Sequence, residues 1–334
     1  MRFSRRAVFG GLSLLPLTSG RAIAQTPATP PSSLFVHHPE ATVALSHLQG
    51  RRWSDLAEIV GGLPPDSASV LLDDLLDLAT VDSDLTGLTE TPLGHTLAGA
   101  IYVNWAWSYR GTGVGSTVVG DRAQAFVDRL ELARVSLERA IDADANDGVA
   151  YNFLIRTLKG QSNVPGLNSV WTSFESVERR RKPIRAFSAL ADAVSAKWFG
   201  SEQIMLGFAR AQQLALEPAS YALIAQVANE SVMGYLRRGG SEAAMSFAAQ
   251  DAVLGEVGTA SEAYRALPPP EDFYQANFAN AHFSFFFSLL GLNDHARPYL
   301  QAMGEMPAGP WTLFQEGAFA LLENARTAAG LGST

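Results

Sequence analysis

The sequence predicts an all-α protein, an irregular tetratricopeptide-like array of antiparallel helix pairs. Apolar residues recur at spacings of three and four along most of the chain, the mark of one buried helix face. Runs of alternating β-branched residues are nearly absent, and Val118-Val119 is too short to make a strand. The breaks between periodic segments carry helix-ending and helix-starting residues. With 334 residues, 47% hydrophobic and 17% charged, the chain can bury a sizeable core.

The first clear helix is capped by Asp66 and runs through Val70, Leu71, Leu72, Leu75, Leu76 and Leu78. A second covers 93–109, with Leu97, Ile101, Val103, Trp105 and Trp107. A longer one covers 122–143. There Phe126, Leu130, Ala133, Leu137 and Ala140 form one face, and Asp128, Arg129, Arg134, Glu138 and Arg139 take the others. Further helices are predicted over 147–160, 167–179, 184–199, 201–215, 219–237, 241–254, 275–290, 294–304 and 311–328. Pro183 suits a first helical position, and Pro218 ends one helix and starts the next. Gly239-Gly240 closes a helix and Ser241 caps its successor.

Two stretches suggest the tetratricopeptide pattern of small residues where helices touch. One is Ala133, Leu137, Ala140 and the break at Asp144-Ala145, followed by Tyr151 and Leu154. The other is Phe283, Phe287, Gly291, Ala296 and Leu300. The ~34-residue period does not persist between them, so the array is degenerate.

The N-terminus reads as a twin-arginine export signal over 1–24. Arg5-Arg6 directly precede a mildly apolar stretch diluted by Gly10, Gly11, Ser13 and Pro16. Ala22-Ile23-Ala24 offers a cleavage site before Gln25, so Arg5, Arg6, Ala22 and Ala24 are the signal residues. Residues 25–38, rich in Pro, Ser and Thr, are a flexible tether, and 39–334 a single helical domain. The expected location is the periplasm, or outside the cell.

The first 24 residues hold four arginines and no acid, so a chain of net charge −8 becomes −12 without them. That is poor chemistry for nucleic acid or anionic lipid. Nor is there a run of about 18 apolar residues to span a membrane. With no cysteine, thiol catalysis, disulfides and iron–sulfur clusters are excluded. The six histidines lack metal spacing with an acid, so no metal or other cofactor is predicted. At most, His37-His38 could pick up a metal adventitiously. The loop GTGVGSTVVG at 111–120 lacks the Gly-Lys-Ser/Thr ending of a phosphate loop. No G-x-S-x-G elbow is present.

Trp107-Ser108-Tyr109-Arg110-Gly111 and Lys197-Trp198-Phe199-Gly200-Ser201, with Met205, Phe208, Ala209 and Arg210 after the second, resemble a bacterial family, domain of unknown function 4034. The likeness covers roughly 100–218. This chain departs from it in having Asp144-Ala145 where the family has Asp-Pro. The resemblance implies a helical fold and no particular activity.

Those two elements are the candidate ligand residues: Trp107, Arg110, Lys197 and Trp198. Arg110 offers a bidentate anion donor, the tryptophans offer stacking walls, and Lys197 adds a second cation. The bland alternative has Arg110 closing a helix, Trp198 anchoring a packed corner, Gly200 supplying a positive φ and Ser201 capping the next helix. Two charged stretches read as solvated. One holds Glu175 paired with Arg179 on a helix, then Arg180, Arg181 and Lys182; the other is the acidic set Asp73, Asp74, Asp77, Asp82 and Asp84. His282 to Phe287 reads as a buried helix, with a lipid pocket as the alternative. The leading expectation is a module that binds or scaffolds a protein or peptide. The rival is an enzyme or small-molecule binder with one pocket formed by the two elements. No catalytic residue is assigned.

Overall fold

A computed structural model describes residues 38–78, 85, 87–90, 92–111, 119–303 and 309–332. The signal residues, and all of the proposed tether but His38, lie outside them. Among the described residues there are fourteen α-helices and no strand, so the protein is all-α. No described helix is long and apolar enough to cross a membrane. The helices fall into two compact units, one spanning His37–Ile204 and the other including Met205–Thr334.

The first unit contains α1 (Ala41–Gln49), α2 (Trp53–Gly61), α3 (Pro65–Leu78), α4 (Pro92–Arg110), α5 (Asp121–Ala143), α6 (Gly148–Gly160), α7 (Val164–Glu175) and α8 (Ile184–Ala193). Helices α4 and α5 run antiparallel. Arg122 Nε donates to the Tyr109 carbonyl at their shared end, at 3.0 Å. Further along, a Cβ on Gly99 would come within 2.4 Å of Leu137. On α5, Leu130, Ala133, Leu137 and Ala140 are fully buried, as the periodicity predicts. Helix α6 returns antiparallel to α5, with Gly160 against Leu130. The α5–α6 break needs no proline. Asp144 leaves the helix in an extended conformation, and Asp147 caps α6 by accepting the Ala150 N–H at 2.9 Å.

Asp66 does not cap its own helix. Proline occupies the first position of α3, and the Asp66 carboxylate lies in its first turn. Fully buried, it reaches α8 instead and accepts the N–H groups of Ile184 at 2.8 Å and Arg185 at 3.1 Å. The residue preceding α8, Pro183, supplies no side-chain cap. A carboxylate borrowed from α3 therefore satisfies the helix and complements its dipole.

Helix α9 (Glu202–Ala211) crosses the unit boundary. The second unit then comprises α10 (Ala222–Ala248), α11 (Asp251–Arg265), α12 (Phe273–Leu289), α13 (Asn293–Met303) and α14 (Ala318–Ala328). Gly240 (φ 77°) kinks α10, where the sequence predicts a full stop. From Ala279 to Leu289, α12 is buried throughout. Phe283 packs on Tyr299 of α13 at 5.0 Å, and Trp311 donates from its indole to Ser284 Oγ at 3.1 Å.

Candidate ligand site

Helix α4 ends on Arg110, and Gly111 (φ 65°) turns the chain away. One turn earlier, Trp107 faces α5 and α6. Its ring lies 5.5 Å from Phe126, and a Cβ on Gly160 would sit 3.4 Å from it. The glycine opens the space the indole fills.

The second element is the turn that follows α8. The N–H groups of Trp198 and Gly200 both donate to the Ser195 carbonyl, at 3.0 and 3.2 Å. Gly200 does not adopt the positive φ expected of it. Its requirement is close approach, because a Cβ there would lie 1.9 Å from the Val194 carbonyl oxygen. Ser201 Oγ accepts the Ile204 N–H at 3.2 Å, the predicted cap of α9.

The two elements meet. Trp107 and Trp198 pack edge to face, with centroids 5.9 Å apart. The Arg110 guanidinium lies 5.3 Å from one ring centroid and 5.5 Å from the other. From α6, the Lys159 ammonium lies 5.0 and 5.2 Å from the same centroids. Both cations are within cation–π range of both indoles. Lys159 also donates to Asp192 of α8 at 2.6 Å, and Lys197 pairs with the other oxygen of that carboxylate at 2.6 Å. Trp107 and Trp198 are partly exposed rather than core residues. Trp198 also packs on Phe199, with centroids 6.0 Å apart, as a corner anchor would.

Charge and burial compete in this cluster. Burial pushes the Asp192 carboxyl up, but Lys159 and Lys197 outweigh it and hold the group below its ordinary value. For Lys159 burial wins: assisted by Arg156 and Lys197 and opposed by Asp192, it lowers the ammonium's pKa. Three polar atoms here, Trp107 Nε1, Ser195 Oγ and Asp192 Oδ1, are buried with no hydrogen-bond partner among the described residues, although Asp192 Oδ1 has its ion pair with Lys197. Such groups ordinarily find a partner.

A second charged network adjoins Lys159. Asp73 of α3 takes Arg156 at 2.7 Å and also Arg185, and Arg156 donates to Asn104 Oδ1 at 2.8 Å. Burial raises the Asp73 carboxyl, and the two arginines more than reverse this. Asp73 and Asp74 thus do not belong to a solvated acidic patch: Asp74 is buried and accepts the His38 N–H. The side chain of Asp77, together with Asp82 and Asp84, lies outside the described residues. His38 is itself buried, and its Nδ1 accepts the Glu40 N–H at 3.1 Å. Glu175 and Arg179 do not share a helix as expected, because α7 ends at Glu175, which accepts from the Trp171 indole at 3.1 Å. Arg181 instead pairs with Asp144 at 2.6 Å. The Gly-rich loop lies outside the described residues over 112–118.

Sequence reasoning named Trp107, Arg110, Lys197 and Trp198 and missed Lys159, Asp192, Arg156 and Asp73. A signal for two of them existed. From Gly148 to Leu158 every residue of α6 but Val149 and Arg156 is buried, and a charge on so enclosed a helix needs a partner. Arg156 and Lys159 are the charges on it. Comparison with known protein families, with curated proteins and with solved structures finds no match.

Proposed function

We propose that this chain is exported through the twin-arginine route to the periplasm and works there as a binding protein. Its ligand site is the cluster of Trp107, Arg110, Lys159, Lys197 and Trp198. The observation that carries this reading is the meeting of the two indoles, from elements some 90 residues apart, beneath the Arg110 guanidinium and the Lys159 ammonium. Two cations set against two half-buried indoles offer a ligand both charge and a stacking surface. The geometry favours the small-molecule alternative over the protein or peptide partner the sequence put first. The latter keeps support from the antiparallel α4–α5–α6 stack, whose α5 exposes Val127 and Leu132.

Native mass spectrometry of the full chain, incubated with a bacterial small-molecule extract, tests the reading. A discrete adduct should form on the wild type and be lost from folded Trp198→Ala and Arg110→Gln variants. An adduct retained by both variants would move the ligand elsewhere. If no small-molecule adduct forms at all, the small-molecule reading fails.

A further inference from the structure

We propose that Arg185 and Arg156, where they meet on Asp73, form a binding site for a small oxyanion, a phosphate or a carboxylate. This site does not rest on the indole cluster, because its donors belong to a different network. Asp73 of α3 takes one arginine from α6 and one from α8, each on a separate oxygen. Arg156 Nη1 donates to Oδ1 at 2.7 Å, and Arg185 Nη2 donates to Oδ2. Neither guanidinium has the carboxylate to itself.

Elsewhere the chain pairs arginines more fully. Arg181 sets two nitrogens on the two oxygens of Asp144, and Arg210 does the same with Glu256. Arg134 spans Glu131 and Glu138. Two parallel bonds are what a planar guanidinium and a carboxylate favour. At Asp73 that arrangement is divided between two arginines.

The two differ in what remains to them. Arg156 is fixed on three sides, by Asp73, by Asn104 Oδ1 at 2.8 Å, and by the Phe153 ring 4.9 Å from its guanidinium carbon. The Arg185 side chain bonds to Asp73 alone among the described residues. A single bond through Nη2 uses one of that nitrogen's two hydrogens, so one two-donor edge of the guanidinium stays whole. The neighbouring carboxylate of Asp66 does not take it. Fully buried, Asp66 accepts the backbone N–H groups of Ile184 and Arg185. The Arg185 side chain is 38% exposed, against 21% for Arg156 and 22% for Asp73. An oxyanion from solution therefore reaches the open edge of Arg185 and completes there the double bond that Asp73 divides. Arg156, held in place beside it, adds a second positive charge.

Isothermal titration of the full chain with sodium phosphate and with sodium acetate, at an ionic strength held constant with sodium chloride, tests this. At least one of the two ions should bind saturably, and the tighter one names the headgroup. Arg185→Gln should weaken it about tenfold, as loss of a charged hydrogen bond requires. Arg185→Lys keeps the charge without the planar fork and should fall between Gln and wild type. Arg180→Gln, at an arginine 83% exposed, should bind as wild type does. Circular dichroism confirms that each variant is folded, and if Arg185→Gln is not, Arg185→Lys decides alone. Absence of saturable binding by either ion overturns the site, as does an Arg185→Gln variant of wild-type affinity. So does an Arg180→Gln loss as large as that of Arg185→Gln, which would leave attraction by bulk charge only. Wild-type affinity in Arg185→Lys overturns the fork. None of these variants alters the indole cluster, so failure here leaves that site to the mass-spectrometric experiment.

Discussion

Asp66 offers the sharpest test of how the fold supports the site. Helix α8 carries Asp192 and leads into the turn of Lys197 and Trp198, and its first turn depends on a carboxylate from α3. Asp66→Ala removes the acceptor of two backbone N–H groups, that of Ile184 in a buried setting. An unsatisfied buried donor costs about 1–3 kcal/mol, so two cost roughly 2–6 kcal/mol if neither finds a substitute. Loss of an ordinary cap, at about 0.5–2 kcal/mol, sets the lower bound if water reaches the Arg185 N–H. Asp66→Asn keeps one carbonyl oxygen and should cost about half as much. Urea unfolding followed by circular dichroism at 222 nm measures both. An Asp66→Ala chain within about 0.5 kcal/mol of wild type would refute the borrowed cap, because that is the scatter of neutral surface changes. An Asn variant less stable than the Ala variant would refute it equally.

Three further outcomes are expected. Gly200→Ala places a Cβ against the Val194 carbonyl and should destabilise by about 1–3 kcal/mol as an overpacked contact; an unchanged urea midpoint contradicts the turn geometry. Burial pushes His282 down from 6.5 to about 3, so the unfolded chain takes up a proton that the folded chain refuses. Stability is then complete above pH 6.5 and falls as pH drops toward 3, by up to about 1.4 kcal/mol per pH unit, and His282→Gln should flatten that slope in urea titrations at pH 7, 5 and 4. Changing Arg5 and Arg6 to Lys should keep the precursor inside the cell, because the twin-arginine route reads the pair itself; continued export through the general secretory channel contradicts the signal assignment.

The helices that the sequence made legible are those with large apolar residues at helical spacing. On α5 the predicted Leu130, Ala133, Leu137 and Ala140 are all buried, joined by Ser136, while Phe126 is half-buried. In α12 the Phe-rich run is the buried helix expected of it. Helix α11 was missed beyond residue 254. Its glycines lower helix propensity, and its buried contacts come largely from the small residues Gly258, Ala260 and Ser261 beside Val257 and Tyr264. Helices α1 and α2, nine residues each, are too short for periodicity to stand out. The predicted 184–199 helix ends at Ala193 because residues 194–200 fold into the turn around Ser195, a tertiary arrangement no propensity encodes.

The site was half legible for a related reason. Unusual clusters of Trp, Arg and Lys show in a sequence, and Trp107, Arg110, Lys197 and Trp198 were named from them. Lys159 and Asp192 sit singly on helices whose other residues explain themselves as packing. Their importance arises only where α6 and α8 pack side by side, bringing one carboxylate between two ammonium groups. The cap donated by Asp66 escaped notice similarly, since it looks like a local start signal and acts 118 residues away.

The central claim is that Trp107–Arg110 and Lys197–Trp198 form one ligand site, and a double-mutant cycle tests it most directly. Affinity for the small molecule that forms the mass-spectrometric adduct should be measured by calorimetry for wild type, Arg110→Gln, Trp198→Ala and the double variant, each first shown to be folded. Arg110 lies against the Trp198 ring, so the two substitutions remove parts of one contact. Residues in contact ordinarily couple by about 0.5–3 kcal/mol. The account predicts that each single variant weakens binding and that the double variant loses clearly less than the two losses combined. Strictly additive losses, or a Trp198→Ala variant that binds like wild type, would contradict it.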